Sequence, residues 1–78
     1  KQAYDSQVNF TVYPNPSTDY IVIGGGEYQS VKFVSATGAV LGVEGSKAMH
    51  SVSNLPSGVN FVVIETADGE VVKTIVKK

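Results

Sequence analysis

Residues 58–78 read GVNFVVIETADGEVVKTIVKK. Phe61–Glu65 is an apolar run rich in β-branched residues, and Glu70–Val76 is a second. Branching at Cβ stiffens χ1 and suits a pleated, half-buried surface better than a helix. Asp68-Gly69 lies between the two runs, and Asp-Gly is the residue pair that a tight hairpin turn favours. The stretch therefore predicts two antiparallel strands joined by a hairpin.

The same grammar continues upstream. Val8, Phe10 and Val12 alternate with Asn9, Thr11 and Tyr13, a period of two that predicts a first strand. Pro14-Asn15-Pro16-Ser17 stops it, because Pro14 and Pro16 donate no backbone hydrogen bond and restrict the residues before them. Tyr20–Ile23, Val31–Ser35 and Val40–Glu44 read as further strands, with a short fifth around His50 and Val52. Gly24-Gly25-Gly26, Ala36-Thr37-Gly38, Gly45 and Asn54-Leu55-Pro56-Ser57-Gly58 punctuate them. Ser46–Ser53, the one candidate helix, lacks a cap and an apolar stripe. Evenly spaced short strands with turn signals between them predict an all-β protein: an Ig-like antiparallel β-sandwich of about seven strands over residues 8–78. Residues 1–7 read as the end of a linker. The chain reads as a piece of a longer protein.

Composition narrows function. The chain has 78 residues, net charge −1, and neither cysteine nor tryptophan. A chain of this size buries only about 60% of its unfolded surface, enough for a fold but not for a fold plus a large substrate pocket. The absence of cysteine excludes a disulfide scaffold, a thiolate metal site and a thiol nucleophile. Lysines balanced by acids, with no arginine, give no field to attract nucleic acid. No apolar run approaches the ~20 residues of a membrane span, so no direct membrane insertion is expected.

Candidate chemistry is sparse. His50, the one histidine, has Ser51 beside it, but neighbours on a strand point to opposite faces. A surface strand position is the expectation for it. The glycine run lacks the following helix that a phosphate loop needs. The carboxylates fall in no calcium-loop spacing. No cofactor is expected, and the reading is of a protein that is not an enzyme. Tyr20–Ile23 and Phe61–Ile64 are apolar on both faces, which marks a candidate partner surface. Lys73, Lys77 and Lys78 read equally as edge protection or as a recognised basic tail.

Tyr13-Pro14-Asn15-Pro16-Ser17-Thr18-Asp19, then the apolar Tyr20–Ile23, resembles the start of the carboxy-terminal sorting domain of cargo of the type IX secretion system of Bacteroidetes. Gly38, Leu55-Pro56-Ser57-Gly58, Phe61–Ile64, Asp68-Gly69 and Val76-Lys77-Lys78 match its later elements in order. The resemblance covers about residues 11–78. It rests on the structural motif residues Pro14, Asn15, Pro16, Gly38, Leu55, Gly58 and Gly69. The chain departs from the family pattern at Asn60, at Val34-Ser35 and at Ala39. The resemblance implies a non-catalytic sorting signal, read by outer-membrane secretion proteins after passage through the periplasm, with the cargo ending at the cell surface or secreted. It also implies that a surface sortase often removes the domain, cutting at or before residues 1–8, and can attach the cargo to lipopolysaccharide.

An edge strand with free backbone groups can be read by strand addition. Val71, Lys73, Ile75, Val76, Lys77 and Lys78 are accordingly the candidate recognition residues, and the same edge could pair two copies of the domain. The alternative is an Ig-like adhesion or ligand-binding module of a surface protein, for which Glu27 and Tyr28 in the glycine loop are the one hint.

Overall fold

The computed structural model describes residues 10–15 and 19–78. The linker reading for residues 1–7, the start of the first strand at Val8, and Pro16 lie outside them. The described strands are β1 (Thr11–Tyr13), β2 (Tyr20–Gly24), β3 (Ser30–Ser35), β4 (Val40–Gly45), β5 (His50–Ser51), β6 (Gly58–Thr66) and β7 (Gly69–Lys77). No helix occurs among the described residues. The strands form two antiparallel sheets, β1-β2-β5 and β4-β3-β6-β7. The valine-rich segments thus build the expected β-sandwich.

Alternation decides what each sheet buries. Phe10, Ile21, Ile23 and Val52 come from the smaller layer, and Val31, Phe33, Val62, Ile64 and Ile75 from the larger; all nine lie in one core cluster. Along β6, Asn60, Val62 and Ile64 are buried while Phe61 and Val63 on the other face are half-exposed. A one-residue slip would turn that whole set to solvent, so the pattern fixes the register. The far end of the Phe10 ring also meets the glycine loop: a Cβ on Gly26 would sit 3.3 Å from its Cζ.

Strand ends differ modestly from the sequence expectation. β6 begins at Gly58 rather than Phe61, because Gly58, Val59 and Asn60 pair with Lys77, Val76 and Ile75 of β7. Backbone pairing, not side-chain polarity, carries the strand through Asn60. The β3–β4 connection shifts register between Phe33 and Val34. The Ser35 hydroxyl there accepts a bond from the Ala39 N–H at 3.1 Å.

The turn glycines named from sequence are conformationally required. Gly38, Gly58 and Gly69 have φ of 96°, 103° and 129°. At Gly69 nothing would touch an added Cβ, so the penalty for a side chain is torsional rather than a clash. Gly69→Ala should therefore cost about 1–3 kcal/mol, read as a lower urea midpoint with an unchanged circular dichroism spectrum. Gly42→Ala, also open but with ordinary φ, should be neutral or stabilise by up to about 1 kcal/mol.

Candidate functional site

β7 is an edge strand, hydrogen-bonded to β6 alone among the strands. Its turn places Thr66 opposite Gly69 across a two-residue loop, which makes them a hydrogen-bonded pair. Every second residue then repeats that state. Val71, Lys73, Ile75 and Lys77 point their N–H and C=O groups at β6, and Glu70, Val72, Thr74 and Val76 point theirs out of the sheet. Asn15 confirms the parity. Its Nδ2 donates to Thr74 O at 3.2 Å, and its Oδ1 accepts from Val76 N at 2.9 Å. A carboxamide carries a donor and an acceptor side by side, so it imitates one peptide unit of a neighbouring strand. The Pro14-Asn15 turn therefore covers the carboxy-terminal part of the edge. The outward groups of Glu70 and Val72 have no partner among the described residues.

The far end of β7 is clamped from the other side. Lys77 Nζ donates to Ser53 O at 3.3 Å and Leu55 O at 3.2 Å. Asn60 Nδ2 donates to Pro56 O at 2.8 Å within the same turn, leaving its buried Oδ1 without a partner. Leu55 itself packs against the core.

His50 is not the surface residue expected from its place in a ragged strand: it is fully buried. The short β5 turns it inward, where its ring meets Phe33 edge-on at 6.0 Å and Tyr28 at 6.1 Å. A carboxylate only accepts, so Nδ1 carries the proton that bonds Glu44 Oε1 at 2.7 Å. Nε2 lies 2.9 Å from the Tyr28 hydroxyl, which donates to Lys47 O at 3.0 Å. The set ties β5 of one sheet to β4 of the other. Its bonds make it a structural bridge between the layers.

Residues 11–78 match the family model described as the secretion system C-terminal sorting domain. The chain belongs to this family. Nothing among curated proteins or solved structures matched it. Membership makes it a sorting signal of type IX secretion, a route of export across the outer membrane to the cell surface or the medium.

The sorting domain places its candidate recognition residues unequally. Ile75 is buried in the core and Val71 packs against that core, whereas Val76 and Lys78 are exposed and Lys73 and Lys77 half-buried. Glu70 and Val72, not singled out from sequence, own the open backbone groups. Counting in twos from Asp68-Gly69 is the signal that finds them. They also border an apolar sheet face. Val43, Lys32, Val63 and Val72 stand side by side across four strands, with Val34, Phe61 and Thr74 in the next row. Val72 is 59% exposed. Glu70 stands opposite Glu65, whose charge is already met by Lys32 at 3.6 Å and by the Ser30 hydroxyl.

The hydrogen bond from His50 holds the Glu44 carboxyl below its ordinary value of 4.5, against partial burial and with help from Lys47. A lowered folded pKa contributes stability that is present above pH 4.5 and lost as pH falls through the folded value. Glu44→Gln should be less stable at neutral pH and lose less on acidification, measured as urea midpoints across the acid range. His50→Ala should cost about 2–4 kcal/mol from cavity and lost bonds together, by the same measurement.

Proposed function

We propose that the domain is a non-catalytic address read by strand addition to the free edge of β7. The outward backbone groups of Glu70 and Val72, beside the exposed apolar face, carry this reading. An extended segment of an outer-membrane secretion protein pairs there and continues the row that ends at Val72, after the cargo has crossed the periplasm. Main-chain bonds supply affinity in this mode, and alternate side chains supply selectivity. Val76, Lys77 and Lys78 extend the surface beyond Asn15. A surface sortase then cuts at or before residues 1–8 and frees the cargo.

The adhesion reading has less to stand on. Of its two residues, Glu27 and Tyr28, the second spends its hydroxyl on His50 and Lys47, and its ring meets Phe10 edge-on at 6.2 Å.

Proline tests the edge selectively. Val72 N–H points away from β6, so Val72→Pro removes an outward donor while sparing the sheet ladder. Fused behind a fluorescent cargo with a periplasmic leader, the wild-type domain should give surface or secreted fluorescence. Val72→Pro should retain the cargo in the periplasm with its thermal melt little changed, and deletion of Val76–Lys78 should retain it too. Normal surface display of the folded Val72→Pro fusion would sink the reading.

A further inference from the structure

We propose that the Asn15 side chain is a register guard: by occupying the β7 edge at Thr74 and Val76 it keeps a second copy of the domain from pairing there. An open edge strand is a template for its own kind, and natural sheets block it. β7 is a demanding case, because it is nine residues long, valine-rich and flanked by an exposed apolar face. Asn15 and Glu70 together answer the hazard.

The argument is one of register. Two β7 edges related by a two-fold axis run antiparallel, and outward-pointing residues must face outward-pointing residues. One arrangement sets Val72 opposite Val72 of the second copy. Glu70 then faces Thr74 of the second copy, and Thr74 faces Glu70 of the second copy. Valine meets valine on the apolar face, and no like charges meet. This register requires Thr74 O as an acceptor, and Asn15 Nδ2 already holds it. Registers displaced further toward the carboxy terminus require Val76 N as well, which Asn15 Oδ1 holds.

Sliding the other way avoids Asn15. Glu70 of each copy then faces Val72 of the other, and only groups with no partner among the described residues are used. That arrangement makes the two Glu70 carboxylates diagonal neighbours on one face, about 7–8 Å apart at the backbone, where like charges oppose pairing. Each Glu70 also already stands opposite Glu65 of its own chain. The carboxamide thus blocks the long registers and the carboxylate disfavours the short one. This deepens the docking reading above: an edge kept clear of its own copies stays available to a different partner.

Sedimentation velocity of the purified chain over a wide concentration range tests the guard without the export machinery. The wild type should stay monomeric. Asn15→Ala should shift to dimer as concentration rises, from an undetectable to a dominant species, and adding Val72→Pro should return it to monomer. Asn15→Ala that stays monomeric with β-sheet circular dichroism intact would overturn the proposal. So would a wild-type dimer that Val72→Pro abolishes. If Asn15→Ala loses its β-sheet signal, Asn15→Ser replaces it, since serine suits a turn but is too short to reach the edge, and the wild-type arm stands by itself. Export of the Val72→Pro fusion bears on the docking reading alone, so the two failures are separable.

Discussion

β6 is the strand that everything else must fit. It is paired on both sides, to β3 and to β7, and it buries Asn60, Val62 and Ile64 against the smaller sheet. A strand so placed has no freedom of register, because a shift by one residue would exchange buried valine and isoleucine for solvent. Its fixed register fixes β7, and the parity of β7 decides which backbone groups face outward. The chemistry of the edge is thus a consequence of burial several ångströms away.

A domain this small, without disulfides, has little core to spare. Polar side chains supplement it at the seams where strands change sheet. His50 joins Glu44 and Tyr28 across the sandwich. Asn60 holds the Leu55–Gly58 turn, and Lys77 bonds carbonyls leading into it. Asn15 closes the gap between the first turn and the last strand. Buried polar atoms are stabilising only when bonded; both ring nitrogens of buried His50 are bonded, and buried Asn60 bonds through Nδ2 but not Oδ1. Asn15, Leu55 and Gly58, on which the family resemblance partly rests, sit at these seams and turns.

Strand addition suits such a molecule. An edge needs only unpaired peptide groups held rigidly, and β7 is held by β6 along its length and clamped at its end by Asn15 and Lys77. The apolar face beside it is contiguous because directly paired residues on neighbouring strands share a face. Outward-facing valines in each of the four strands therefore merge into one surface.

The residues alone determined the layers, the turns and the hairpin. Period-two alternation of β-branched side chains and turn glycines act locally, within a few positions, so they can be read without knowing the neighbours. Gly38, Gly58 and Gly69 needed positive φ wherever the strands went. What Asn15, His50 and Ile75 do could not be read that way. Asn15 bonds residues 59 and 61 positions away, and His50 is buried by strands of both sheets. Ile75, a candidate recognition residue by its place on the last strand, belongs to the core. Only the stacking of the two sheets brings such distant positions together, since burial and hydrogen bonding across layers depend on three-dimensional packing that no local pattern encodes.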